Sequence, residues 1–389
     1  MLSRMKFEIE PLVAEMLDQL PKSLWTSNST TFFDPAIGGG QFVRAIEQRL
    51  RACGHNDANI RKRVVGLEDS ELHIRYAVNK HKLVGQYAKK TYEKFFELDN
   101  TMKFDVVVGN PPYQGNNDKG TKQPKSHNLW SKFAEQGINL VKDNGYIAFV
   151  TPDSWMSPNS QVLKTFKENS LTWVSTNVSK YFTVGSSFTA WILQKNQNTK
   201  TVSIDGLSVN LNTLNYLPRD FSKTYPIHDK VVNSKHPKLS VTCDTTCHSD
   251  HKHGKLSDTQ DSVFKYKTWH TNAQIRFSKI KSKDFDKNKI IWTLSGYFKP
   301  FYDNGKFGTT EVCQYIVVAD QTEADQILSY LNSKLYNFLI STGKWSGFLN
   351  GKLLCSLPKL ANKTWTDKQL YKHFGLTQEE IDYVESNAK

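Results

Sequence analysis

Short apolar runs alternate with stretches of helical spacing through the first half of the chain. The runs Thr31–Phe33, Val64–Leu67, Phe104–Val108, Tyr146–Val150 and Phe188–Leu193 predict strands. Between them, Phe42, Ala45, Ile46 and Leu50 recur at three and four residues, as do Trp130, Phe133, Gly137 and Leu140, and predict helices. Strand–helix alternation predicts an α/β fold, a largely parallel sheet covered by helices on both faces. Ligands of such sheets bind beyond the C-terminal ends of the strands. The polar stretch Lys195–Lys200 reads as a linker, and the alternation stops there. Asn210–Lys289 is polar with isolated aromatics. One further helix is expected over Ala324–Ile340, where Ile327, Leu328, Leu331, Leu335, Phe338 and Leu339 share an apolar face. Two domains are expected, residues 1–195 and a mixed α+β domain over residues 196–389.

Composition adds limits. Only 38% of the 389 residues are hydrophobic, but 16 Tyr, 9 Trp and 22 Phe supply large apolar area. No apolar run approaches the roughly 20 residues of a membrane span. The N-terminus MLSRMKFEIE lacks the apolar core of a secretory signal. Five cysteines, an odd number without a small-scaffold framework, suit a reducing cytoplasm. The formal charge of +13 favours polyanionic partners but identifies no reaction.

The most informative motif is Asn110-Pro111-Pro112-Tyr113, directly after the strand Phe104–Val108. Methylating an aryl amine is difficult because the nitrogen lone pair is delocalised into the ring. Two acceptors, one per N–H, can hold the amine and draw it towards tetrahedral geometry. The Asn110 side-chain oxygen and the Pro111 carbonyl can serve, with Pro112 stiffening the loop. Tyr113 offers a face on which a planar base can stack. The bland alternative is a diproline strand end with a packed tyrosine.

A glycine-rich turn, Asp34-Pro35-Ala36-Ile37-Gly38-Gly39-Gly40-Gln41-Phe42, joins the first strand to the first long helix. It fits neither the dinucleotide spacing, since Val43 takes the last glycine position, nor a P-loop. Asp34 beside glycines that permit close backbone approach suits a cationic ligand better than a phosphate. Glu68 ends the next strand, where a carboxylate can accept ribose hydroxyls, and Asp69 could substitute or assist. Each feature alone also fits an ordinary strand–turn–helix or a solvated acid.

Taken in order, these elements resemble the gamma-class, Taq-type DNA adenine-N6 methyltransferases of restriction-modification systems, over roughly residues 7–195. Asp34–Phe42 is similar to that family's cofactor loop, Glu68 to its ribose acid and Asn110–Tyr113 to its catalytic tetrapeptide. Leu12–Leu17 resembles the preceding helix, and Gly145–Trp155 the segment with the next core strand. Tyr181-Phe182, before Val184-Gly185, is similar to the motif whose aromatic contacts a flipped adenine. The resemblance implies a Rossmann-like methyltransferase domain followed by a target-recognition domain. It implies S-adenosylmethionine as cofactor, bound by Asp34, Pro35, Ala36, Gly38, Gly40, Glu68, Asp69, Phe95 and Asn110. It also implies double-stranded DNA as substrate, with the base stacked by Tyr113 and Phe182. Two positions depart: Glu10-Pro11 stands where Thr-Pro is usual, and Lys94-Phe95 where Asp-Phe is frequent.

Flipping a base costs a few kcal/mol and needs protein contacts. The polar segment Gln114–Asn128, with Lys119, Lys122 and Lys125, is expected to order on DNA. In the second half, Lys265, Lys267, Arg276, Lys279, Lys281, Lys283, Lys287 and Lys289 interleave with Phe264, Tyr266, Trp269 and Phe277, a mixture that suits DNA or a solvated face. Cys243, Cys247, His248, His251 and His253 have zinc-ligand chemistry but no standard spacing, so no metal is expected. RNA adenine or protein glutamine methylation, or a non-catalytic DNA-binding scaffold, are the alternatives. No nuclease module is read, so any cleavage would belong to a separate restriction endonuclease. The expected location is the cytoplasm of a bacterial or phage-infected cell. The oligomeric state is left open.

Overall fold

The computed structural model describes residues 10–99, 101–113, 129–158, 160–182, 187–197, 199–249, 254–345, 349, 351–361 and 363–388. The chain forms two compact units, one of Met1–Trp155 with Ser160–Asn212, the other of Met156–Asn159 with Thr213–Lys389.

The first unit is built on a nine-stranded sheet. Its strands are β1 (Phe32–Asp34), β2 (Val64–Glu68), β3 (Gln86–Lys89), β4 (Phe104–Gly109), β5 (Val141–Pro152), β6 (Ser170–Ser175), β7 (Phe188–Gln194), β8 (Thr201–Ile204) and β9 (Leu207–Asn210). Their order is β3-β2-β1-β4-β5-β7-β6-β8-β9. The pairs from β3 to β5 are parallel, while β7 runs antiparallel to β5 and β6. The central strands are apolar on both faces: Phe32, Phe33, Val106, Val107, Val108, Ile147, Ala148 and Phe149 are all buried. Sheets of this kind are covered on both sides by crossover helices, which explains those continuous runs. The helix Gln41–Ala52 buries Phe42, Val43, Ile46 and Leu50, and Leu129–Leu140 buries Trp130, Phe133, Gly137 and Leu140. A Cβ on Gly137 would lie 3.4 Å from the Phe149 ring, so this glycine lets helix and sheet approach closely.

The expected linker does not end the first unit. β8 pairs with β6 through Trp173↔Ser203 and β9 follows antiparallel, so the unit continues to Asn212, past the expected boundary at 195/196.

The second unit is α+β. It holds a four-stranded sheet of β10 (Leu256–Ser257), β11 (Tyr266–Thr271), β12 (Gln274–Ser278) and β15 (Gly308–Thr309), and a three-stranded sheet of β13 (Asn288–Thr293), β14 (Phe301–Asn304) and β16 (Cys313–Val317). The single helix expected over Ala324–Ile340 is two, Gln321–Leu331 and Lys334–Gly343. Ser333 interrupts it because its side chain accepts the Tyr336 N–H as an N-cap, 3.2 Å away. The apolar face survives the break, since Ile327, Leu331, Leu335, Phe338 and Leu339 are all buried. Among the described residues, no helix is long and apolar enough to cross a membrane.

Candidate active site

From β1 the chain crosses to β2 and β3, then returns to β4 on the other side of β1. The chain therefore leaves β1 and β4 towards opposite sides of the sheet, and ligands of such sheets bind there, beyond the C-terminal strand ends. Asp34 is the last residue of β1, and Asn110 follows Gly109, the last residue of β4. Gly109 has φ 156°, and a Cβ there would stand 3.0 Å from Asp34 Oδ1. The two candidate loops thus meet at a glycine that was not singled out in the sequence. Its signal was its place, between an apolar strand and the tetrapeptide.

Asp34 is 2% exposed, and its Oδ1 accepts the Ala36 N–H at 2.9 Å across Pro35. Burial pushes its carboxyl up to about 8, opposed by the Ala36 N–H and reinforced by the nearby Glu68. No ion pair to Asp34 forms among the described residues. The turn then uses Gly38 and Gly40 at positive φ, 48° and 84°. Gly40 caps the helix Gln41–Ala52, and a Cβ on it would lie 2.9 Å from the Ala77 methyl group.

Glu68 is 3% exposed and braces this turn. Its Oε2 accepts the Gly38 N–H at 3.0 Å, while Oε1 meets the Ser70 N–H at 3.3 Å and His73 Nδ1 at 3.2 Å. Burial, and then the neighbouring Asp69, raise its pKa above the usual carboxylate value. A carboxylate has about four lone-pair positions, so little capacity remains for a diol on Glu68 alone. Asp69, adjacent and exposed, offers the rest.

Phe95 lies elsewhere than expected. It is 1% exposed, stacked on Phe133 at 4.9 Å and packed against Phe33 and Phe96. Its ring belongs to the core, and a planar ligand has no free face of it to cover.

At the tetrapeptide, Pro111 is buried and Asn110, Pro112 and Tyr113 are half-buried. The Tyr113 hydroxyl donates to Asn110 Oδ1 at 2.5 Å, and burial drives the phenol pKa upward. The Tyr113 ring lies 5.0 Å from Phe188, and Phe182 lies 4.6 Å from the same ring. One core aromatic therefore gathers both expected stacking residues beside Asn110.

Residues 23–188 match the family described as Eco57I restriction-modification methylase. Over 66 residues the chain is 36% identical to an uncharacterized adenine-specific methylase of Mycoplasma pneumoniae, covering 17% of this chain and 15% of that protein. Over 168 residues it is 26% identical to the type II restriction enzyme and methyltransferase RM.Eco57I of Escherichia coli, covering 39% of this chain and 16% of that protein. The chain thus matches only about a sixth of either relative's length. Among solved structures, a nuclease-deletion mutant of the type ISP restriction-modification enzyme LlaGI, in complex with a DNA substrate mimic, aligns with TM-score 0.51 and 12% identity, over 97% of this chain and 45% of that one. At that identity the likeness shows the fold. The first unit has a Rossmann-like α/β fold.

Lys119, Lys122 and Lys125 lie outside the described residues, as do His251 and His253. Cys247 is buried, its sulfur 3.3 Å from Ser278 Oγ, whereas Cys243 is exposed. The basic run of the second unit divides sharply. Lys289 is 1% exposed, paired with Asp303 at 2.8 Å and donating to the carbonyls of Asp284, Phe285 and Lys287. Arg276 is buried against Asp258 at 2.9 Å, and Lys281 and Lys287 pair with Asp286 and Asp284. Lys289 is therefore a structural lysine, with no face to offer a phosphate. Lys265, Lys267, Lys279 and Lys283 remain exposed.

Proposed function

We propose that the chain transfers a methyl group from S-adenosylmethionine to the N6 amine of adenine in double-stranded DNA. One observation carries this reading: Asn110 leaves β4 beside the buried Asp34 of β1, at the point where the sheet order reverses. A buried carboxylate without an ion-pair partner, beside a glycine turn, fits a ligand with cationic ammonium and sulfonium groups. Asp34, Pro35, Ala36, Gly38 and Gly40 would hold that end of the cofactor, and Glu68 with Asp69 its ribose hydroxyls. Bound there, the cofactor supplies an electrophilic methyl group.

The chain's own residues prepare the nucleophile. Asn110 Oδ1 and the Pro111 carbonyl accept the two amine N–H groups, and Tyr113 and Phe182 pack against the extruded base. Holding both partners in one crevice supplies the proximity that a bimolecular displacement lacks. Once methylated, the amine is acidic enough to lose its proton to water, so no dedicated base is needed. The second unit serves target recognition. Similarity to a methylase and to a restriction enzyme and methyltransferase supports methyl transfer to DNA as the reaction. A separate restriction endonuclease and a cytoplasmic location belong with the same reading.

The test is product analysis. Purified protein incubated with DNA and methyl-labelled cofactor should yield N6-methyladenosine's deoxy counterpart after digestion. Label appearing instead in RNA or in a glutamine-containing peptide would overturn the substrate. Cofactor binding without any transfer would favour a non-catalytic scaffold.

A further inference from the structure

β11 and β12 form an antiparallel ribbon closed by the two-residue turn Asn272-Ala273. Their neighbours stop short: β10 pairs only with Phe277 and Ser278, and β15 only with Thr268 and Trp269. The tip of the ribbon, residues 272–275, therefore extends past both flanking strands and is exposed. A second turn is tied to it. Asn272 Nδ2 donates to the Tyr297 carbonyl at 3.3 Å, and Thr293 Oγ1 donates to the Ser295 carbonyl at 2.9 Å. Phe298 packs on the buried Trp292, and Gly296 takes φ 76° to make the turn. Held this way, Tyr297 is 76% exposed, the highest exposure among the large apolar side chains described. Lys299 Nζ stands 6.0 Å from its ring, and Ile275 of the ribbon is 40% exposed.

An exposed tyrosine on an unsupported loop would be ordinary. This one stands on a turn anchored at both ends, which keeps the ring out of the core. At the other end of the ribbon, Lys265, Lys267 and Lys279 are exposed and form no ion pair among the described residues. Arg276, Lys281, Lys287 and Lys289, by contrast, are neutralised by aspartates. At about 3.3 Å per residue, Lys267 sits about 17 Å, Lys279 about 20 Å and Lys265 about 23 Å behind the turn. A major groove about 8.5 Å deep admits a two-stranded ribbon and leaves lysines at those distances outside it, on the side of the phosphate backbones.

We propose that this double turn enters a groove of duplex DNA, with Tyr297 against a base or sugar and Lys265, Lys267 and Lys279 on the flanking phosphates. The proposal rests on reading the chain as a DNA methyltransferase and names the element that grips the substrate.

Binding of the full chain to a mixed-sequence genomic duplex, followed by anisotropy over a range of salt, separates the two contributions. Tyr297→Ala should weaken binding by about 5-fold or more with an unchanged salt slope, while Tyr297→Phe stays near wild type. Replacing Lys265, Lys267 and Lys279 together by Ala should lower the slope of log K against log salt by about 0.9 per lost phosphate contact. Unfolding midpoints equal to wild type exclude misfolding as the cause. Unchanged affinity and slope in both variants would overturn the proposal, as would equal losses on double-stranded RNA. If these losses occur yet no N6-methyladenine is made, the functional reading fails and the binding surface stands. Methylation with no change in binding leaves the reaction and removes the surface.

Discussion

The strand ends of the first unit and the ribbon of the second handle charge in opposite ways. At the strand ends, Asp34 and Glu68 are buried, and backbone N–H groups hold them more than cations do. In the ribbon region, the buried lysine and arginine are matched to aspartates, and the unmatched cations stay in water. Burial without a cation keeps the Asp34 carboxyl protonated near neutral pH, and a ligand of positive charge bound there would stabilise its ionised form. The ribbon's paired charges are structure, and its unpaired ones are surface. The same distinction separates a site from a scaffold in both units, although the signs differ.

The contrast is easiest to break at Lys289. Replacing it with Ala leaves Asp303 buried without its cation, and should cost about 3–5 kcal/mol in denaturant unfolding. Lys267→Ala should stay within about 0.5 kcal/mol. Similar small losses for both would mean that burial does not sort these lysines. Gly109→Ala should come next, at about 1–3 kcal/mol, because its φ is strained for an L side chain and its Cβ would crowd Asp34. Calorimetry should show weaker cofactor binding in the same variant, since the Cβ displaces the carboxylate.

A further effect sharpens the comparison through pH. The Asp34 carboxyl titrates at about 8 when folded, against an ordinary 3.8. Its contribution to stability is complete below 3.8 and is lost as pH rises towards about 8, because the unfolded chain ionises first. A cationic ligand needs the ionised form, so its affinity should rise by up to about tenfold per pH unit until about pH 8. Asp34→Asn should lose most of that slope and keep only the part due to Glu68. A cofactor affinity independent of pH in the wild type would contradict the burial argument.

Much of the first unit was legible in the sequence, for physical reasons. Central strands such as Val106–Val108 are apolar on both faces and interrupt helical spacing, so β1, β2, β4, β5 and β7 stood out. β3 escaped because it is an exposed edge with no apolar alternation, Gln86 and Lys89 among its residues. β8 and β9 were hidden behind a polar turn that reads like a linker. Positions carrying candidate chemistry were visible because loops after strands have few other reasons to combine Asp34, Gly38, Gly40 and Asn110. Phe95 was misplaced because an aromatic in a motif and an aromatic in the core are identical in sequence. The basic run was unresolved for a similar reason: Lys267 and Lys289 differ only in what the fold brings to them. Ser333 had the residue type of a cap but was masked by an apolar face that runs through the break.

The central claim is that Asn110 prepares the amine, over and above any contact it makes with the cofactor. Single-turnover methyl transfer to DNA, measured beside calorimetric cofactor binding, tests it in one variant. For Asn110→Ala, the account predicts cofactor affinity within about threefold of wild type and transfer slowed by about 100-fold or more. Transfer at near wild-type rate, or a loss of cofactor binding that accounts for the whole defect, would contradict it.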